Sequence, residues 1–307
     1  IIDEYTECES VGLSQEEPIV VFRQGEKKRY VGGAGIVALH ANSLGAKTHF
    51  VTITGNDHES HYAEGTFEEA GLDSFLIKND ASSTILKQRF RVNGRSTFRL
   101  TRYDDFTTSN EYKDRFMRKV EELIPKMDVL IFSDFNYGLL QIEMVEKIIK
   151  IARENSLFIA ADCQISSQIA DYRKYKSVDL VTPTEHEARV TLRDGKNGLA
   201  ATAIAFQKEL QAKNLIVTLG ADGALMQEWM PKVSQEFQTD LIPALNDNPV
   251  DVSGAGDSML IVSALALRLG ARLSEAAYLG SLASAIQVGR QGNQPMAFNE
   301  LSRELFR

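Results

Sequence analysis

The sequence predicts an α/β fold: a mostly parallel sheet covered by helices on both faces. Two observations carry this. Short β-branched apolar runs recur along the 307 residues, and amphipathic helical stretches separate most of them. The runs are "PIVVF" (18–22), "THFVTITG" (48–55), "DVLIFSD" (128–134), "LFIAADC" (157–163), "VDLVTP" (178–183) and "NLIVTLG" (214–220), each read as a buried strand. Helical spacing covers 34–44, 59–70, 111–125, 141–155, 185–192, 199–212, 255–269 and 273–288. On sheets of this kind, ligands gather at the carboxyl ends of the strands.

One segment breaks the rhythm. In "TILKQRFRVNGRSTFRLTRY" (84–103), Asn93-Gly94 marks a two-residue hairpin, because both positions tolerate positive φ. Leu86, Gln88, Phe90 and Val92 share one face of the first arm, and Lys87, Arg89 and Arg91 the other. The ribbon is either an edge hairpin with a solvated basic face or a small lid presenting cations to an anionic ligand. With no internal repeat or linker in the chain, one domain with a small β excursion is expected.

Composition narrows the function. The chain is 43% hydrophobic and 25% charged, with net charge −8 and pI near 5.3, which argues against a nucleic-acid surface. No run of about 18 apolar residues is present to span a membrane. Cys8 and Cys163 stand far apart, which is no disulfide framework and suits a reducing cytoplasm. Neither an HExxH motif nor a Cys/His cluster offers a zinc site.

Two glycine-bearing loops compete as ligand sites. "VGGAGIVA" (31–38) matches GxGxxA formally, but the polar "QGEKKRYV" before it is no central strand, so a dinucleotide site is set aside. Its glycines serve close helix packing or let backbone approach a polar ligand. GxxxxGK[ST] is absent, which excludes a Walker-type phosphate loop. "DVSGAGDSML" (251–260) is richer, because Gly254 and Gly256 let backbone N–H groups converge where an apolar helix begins. Asp257 there either caps the helix or stands as an acid beside an anion hole. The second arrangement is what phosphoryl transfer to an alcohol requires: an acid to take the hydroxyl proton and amides to hold developing charge.

Four segments together resemble the ribokinase-like, phosphofructokinase B type carbohydrate kinases: "VGGAGIVALHANSLGA" (31–46), "TPTEHEA" (182–188), "VTLGADGAL" (217–225) and "DVSGAGDSML". Within that family, "IIDEYTECESVGLSQEEPIVVF", "SDFNYG" (133–138) and "FRLTRYDD" resemble the kinase domain of heptose-7-phosphate kinase and ADP-heptose synthesis enzymes. The resemblance implies a ribokinase-like three-layer sandwich, one kinase domain over 1–307, with β lid segments near 15–31 and 84–103 and a first strand ahead of residue 1. It implies phosphoryl transfer from ATP with Mg²⁺ to a hydroxyl of a sugar or sugar phosphate. By matched position Asp257 is the base, and Gly254, Ala255 and Gly256 form the anion hole. Asp3, Gly32 and Gly33 contact sugar, while Arg89 and Arg102 are lid residues suited to a sugar phosphate. Thr218, Gly220 and Gly223 belong to the nucleotide loop with Thr184 beside them, and Glu187 organises Mg²⁺ through water. Asp251 belongs to a loop for a monovalent cation such as K⁺. A cytoplasmic homodimer paired through the lid and a nucleotidyltransferase partner domain outside this chain follow from the same likeness.

The chain also departs from the pattern. Ile36 replaces the usual Asn of the first signature, Thr184 the Asn of NxxE, and Tyr137 the Lys of SDYxKG, while Cys163-Gln164 follow Asp162 where the heptose subgroup has Pro-Lys. Tyr cannot supply the point charge of a lysine. These changes leave the phosphoryl-transfer residues in place and the acceptor open, a heptose-7-phosphate-like sugar among the candidates. They also motivate an alternative: a catalytically weak relative that binds sugar or nucleotide as a sensor or assembly partner.

Overall fold

Side-chain alternation along the central strands sorts the apolar residues into two cores, one on each side of the sheet. The computed structural model describes residues 1–104, 109–165, 171–230 and 236–306; Asp105 of the lid segment lies outside them. The chain runs β1 (Ile2–Leu13), β2 (Val20–Val31), α1 (Ala34–Ser43), β3 (His49–Gly55), α2 (His58–Glu69), β4 (Asp73–Asn79), β5 (Leu86–Val92), β6 (Arg95–Arg102) and α3 (Asn110–Leu123). It continues through β7 (Val129–Asp134), α4 (Ile142–Glu154), β8 (Phe158–Cys163), β9 (Leu180–Val181), α5 (Glu185–Leu192) and α6 (Leu199–Leu210). The rest is β10 (Asn214–Thr218), β11 (Ala224–Met230), β12 (Glu236–Ile242), α7 (Ala255–Arg268), α8 (Leu273–Val288) and α9 (Phe298–Leu305).

Among the described residues the main sheet has the order β12-β11-β10-β9-β8-β7. β7 to β10 are parallel, and β11 and β12 add antiparallel strands at one edge. Ile159, Ala161, Leu215 and Val217 pack with residues of α3 to α6, whereas Ala160, Leu180 and Ile216 pack with α1, α7, α8 and α9. Helices therefore cover both faces, as the continuous apolar runs require. No described helix is long and apolar enough to cross a membrane.

β3 and β4 form a separate parallel pair. Between β3 and β7, the edge strand of the main sheet, lies an apolar cavity of about 730 Å³, walled by α1 and α7 on one side and α3 on the other.

The remaining sheet, β2-β1-β5-β6, takes in both segments expected to form the lid, with β1 between them. Asn93 and Gly94 take φ of 51° and 76°, as the type I′ turn demands. One expectation is corrected here, and one of two open alternatives is excluded. "PIVVF" is not a buried strand: Ile19, Val20 and Val21 are exposed, because β2 projects from the body with only β1 beside it. The basic face of the hairpin is not solvated either. Lys87 and Arg91 are buried, because β5 pairs in parallel with β1 and sets them beside Asp3 and Glu7. The outward face is the apolar one, where Phe90 stacks on Phe98 at 4.3 Å between ring centroids while Phe98 and Leu100 stay exposed.

Candidate active site

The first turn of α7 removes one of the two readings of Asp257. Gly254 is the N-cap residue at φ 80°, and no side chain caps this end, so Asp257 does not serve as a cap. A Cβ at Gly254 would overlap Oδ1 of Asn293, so neither the dihedral nor the space admits another residue. Nothing lies within 4 Å of a Cβ placed at Gly256, so this turn stays open to a ligand on its glycine side. Asp257 itself is buried, and its Oδ1 accepts a hydrogen bond from Gln164 Nε2 at 3.0 Å. Burial, reinforced by the charge of Asp3, pushes its carboxyl up to about 7, while Lys87 and Gln164 oppose the shift.

Gln164 also donates to Asp162 Oδ2 at 3.0 Å, and the Tyr172 hydroxyl donates to Asp162 Oδ1 at 2.7 Å. Burial and the charge of Glu187 raise the Asp162 carboxyl well above the usual carboxylate range. Glu187 heads α5, where Thr184 Oγ1 accepts its N–H and its Oε2 accepts the Thr184 N–H, a reciprocal capping box. Its Oε1 accepts from Ile165 N at 2.8 Å. Thr184 bridges to Thr218, the last residue of β10, and the chain then turns through Gly220 at φ 62°. Gly223 follows at φ 90°, where a Cβ would overlap the Ile242 carbonyl. The predicted nucleotide residues thus sit together at the carboxyl end of the parallel strands, with Glu187 beside them.

The lid supplies the other wall. Asp3 is buried and accepts from Asn293 Nδ2 at 2.8 Å and from the Arg89 guanidinium, which also lies over the Tyr5 ring at 5.2 Å. A Cβ at Gly32 would overlap Asp3 Oδ2, so this glycine lets backbone close on the carboxylate; Gly33, the N-cap of α1 at φ 57°, packs against Ile1 instead. Lys87 lies over the Phe135 ring at 4.8 Å, and the carboxylates of Asp3 and Asp257 act on its charge. Burial lowers its ammonium to about 8 against those charges. Asp251 braces the loop ahead of α7, accepting from Ser253 N at 3.0 Å and Gly292 N at 3.1 Å.

Arg102 is not brought to this wall. It opposes Leu86 on β5, so it faces away from Lys87, and it pairs with Glu59 of α2 at 2.7 Å. Three residues that meet the candidate site residues were not assigned from sequence. Lys87 was legible only as part of a basic face, and Gln164 only as a departure beside Asp162. Asn293 lies in a loop with no local signal.

Sequence comparison decides the family. A model of the pfkB family carbohydrate kinases matches residues 2–299. The chain belongs to the pfkB family. As a member it is a carbohydrate kinase, a transferase of phosphoryl groups. Bifunctional protein HldE of Pseudomonas aeruginosa strain LESB58 is 30% identical over 310 residues, covering 100% of this chain and 62% of that protein. HldE of Nitratiruptor sp. is 26% identical over 98% of the chain and 62% of its own length. The chain thus spans about three-fifths of these pfkB relatives. Phosphofructokinase-2 of Escherichia coli, solved with substrates and products, aligns at TM-score 0.77 and 15% identity over 99% of this chain and 96% of its own. Ribokinase of Thermotoga maritima gives 0.76 and 21% over 100% and 96%. At these identities the two structures establish the ribokinase-like fold.

The departures from the pfkB pattern have local explanations. Ile36 is fully buried in the core between the lid and α2, out of reach of the cleft. Thr184 retains the helix-capping oxygen that an Asn would supply. Tyr137 packs on Tyr103 at 5.4 Å and under Lys87 at 5.6 Å, so an amine from β5 stands next to the position that lost its lysine.

Proposed function

We propose that this kinase transfers the γ-phosphoryl group of ATP to a hydroxyl of a sugar phosphate, with Asp257 as general base. One observation carries the reading: a buried carboxyl raised to about 7 stands on the first turn of a helix whose N-terminus no side chain caps. A base titrating near neutral pH combines sufficient ionisation with sufficient proton affinity. In the reaction the Asp257 carboxylate takes the O–H proton as that oxygen bonds to the γ-phosphorus, and the bond to the ADP oxygen breaks. The N–H groups around Gly254, Ala255 and Gly256 hold charge on the phosphoryl oxygens. Thr218, Gly220, Gly223 and Thr184 receive the nucleotide.

Among the described residues no cluster of three or more metal-ligating side chains is present, which suits Mg²⁺ held chiefly by water and nucleotide phosphates. Glu187 would hold it through water, and the ion would neutralise charge on the phosphates. Asp3 with the backbone of Gly32 and Gly33 would bind sugar hydroxyls. Arg89 and Lys87 on the inward lid face support a phosphorylated acceptor. We assign Asp251 to a monovalent-cation loop; a related phosphofructokinase-2 structure contains potassium. Product formation from ATP across a panel of pentose, hexose and heptose phosphates tests the proposal. One acceptor should be turned over by the wild type and not by Asp257→Asn, and equal turnover by both would remove Asp257 from its role.

The wider assembly forms part of the same reading. The exposed lid residues Val11, Leu13, Ile19, Val20, Phe98 and Leu100 suit pairing of two cytoplasmic copies, and the length of HldE suits a nucleotidyltransferase domain beyond this chain. The cavity suits one more parallel strand. Among the described residues β3 and β7 face it with unpaired edges, and Ile1 lines an adjoining cavity beside Thr54 and Ser133, at the carboxyl ends of both strands. Residues joined ahead of Ile1 would fill it. A six-residue apolar extension should then protect the amides of 50–53 and 130–132 from hydrogen exchange, and a proline in its centre should abolish the effect.

A further inference from the structure

We propose that Gln164 is a positioning residue that ties off one oxygen of Asp257 and presents the other to the acceptor hydroxyl; this rests on the base role proposed above. The Gln164 amide nitrogen carries two hydrogens. It lies 3.0 Å from Asp257 Oδ1 and 3.0 Å from Asp162 Oδ2, so one hydrogen serves each carboxyl group. The far end of the link is fixed in the core, where the Tyr172 hydroxyl holds the other Asp162 oxygen at 2.7 Å and Tyr172 is fully buried. The near end is fixed through the backbone. Gln164 N donates to the Asp134 carbonyl at 2.8 Å, and Asn136 Nδ2 donates to the Gln164 carbonyl at 2.9 Å.

A carboxylate on the first turn of a helix can rotate about its terminal torsion, which is broad and nearly two-fold. A donor at Oδ1 selects one plane and leaves Oδ2 for the proton. The ionisable groups that face Asp257 are Asp3 from β1, Lys87 from β5, Glu187 from α5 and Asp162 at the end of β8. Gln164 is the neutral donor among them, and it links the base to the buried acid without adding charge.

Two substitutions separate positioning from mere packing. Gln164→Leu removes both donors at similar volume, whereas Gln164→Lys supplies donors with a positive charge. The titration of the Asp257 carboxyl, followed by carbon-13 NMR in the full chain without substrate, should fall near 7 in the wild type. It should move up in the Leu variant and down in the Lys variant. With ATP and the sugar phosphate turned over best in the panel, kcat should fall at least tenfold in Gln164→Leu with the KM for ATP within twofold, and recover in Gln164→Lys. Coincident titrations in all three proteins, or an unchanged kcat in the Leu variant, would overturn the proposal. If Gln164→Leu does not fold, the Lys titration decides alone. Turnover by Asp257→Asn at the wild-type rate would instead refute the base reading, so the two failures are distinguishable.

Discussion

The two walls of the cleft are built from different materials. On the side proposed for the nucleotide the groups that face the cleft are backbone amides placed by Gly254, Gly220 and Gly223, each held at a positive φ by its own short segment. On the side proposed for the acceptor they are side chains from β1, β5 and the loops after β8 and α8: Asp3, Lys87, Arg89, Gln164 and Asn293. A glycine dihedral is a local property, whereas the meeting of residues 3, 89 and 293 depends on strand register and on a loop nearly the whole chain away. The first wall should therefore break at glycines and the second at charges.

The largest effect is expected where the walls meet. Asp257→Asn should lower kcat by about 10³-fold, within the range of a lost general base. The same substitution should stabilise the protein. Below the ordinary carboxyl value of 3.8, Asp257 is protonated whether the chain is folded or not, so its ionisation makes no difference to stability. Between 3.8 and about 7 the unfolded chain releases a proton that the folded one retains, and stability falls as pH rises. Above that the whole cost, ~4 kcal/mol at most, is present. Thermal unfolding of Asp257→Asn should show a gain at pH 8 that vanishes at pH 4; a gain equal at both would assign it to packing.

The same contrast decided what the sequence disclosed. Helices α1 to α8 were legible to within about two residues at their ends, because apolar spacing and caps are local, whereas the short α9 was not read from the sequence. The hairpin at Asn93-Gly94 was legible because its turn needs two positive φ values. β1 was not. "IDEYTECESVGL" carries four acids and no apolar alternation, and Asp3 and Glu4 are buried where Arg89 and Arg29 reach them from other strands. The inward turn of the basic face was hidden for the same reason, since a strand shows which residues share a face and its partners decide which face is covered.

Gly254→Ala tests the backbone wall directly. Positive φ disfavours alanine by about 1–2 kcal/mol, and the added methyl meets Asn293 Oδ1. A fall of about 10²-fold in kcat is expected, because both the amide geometry and the Asn293 bond to Asp3 shift together. On the side-chain wall, Arg89→Met should raise the KM for the sugar phosphate by about tenfold or more, the worth of one charged hydrogen bond, while the KM for ATP stays within twofold. Equal rises in both constants would show that the walls are coupled and would blur the distinction.

The smallest effect should come from Arg102, and it is the sharpest test of where the acceptor wall ends. By resemblance Arg102 is a partner of Arg89, yet register places it on the opposite face of the hairpin, across from Leu86 and bonded to Glu59. Its side chain is half exposed, so the ion pair contributes about 1 kcal/mol or less. Arg102→Met should therefore leave the KM for the sugar phosphate within twofold and lower the melting temperature by a few degrees, because the buried Glu59 loses its cation. A tenfold rise in that KM at unchanged melting temperature would mean that the lid rotates Arg102 inward when the acceptor binds. The side-chain wall would then be assembled by the substrate as well as by strand register, and the comparison would hold for the resting protein alone.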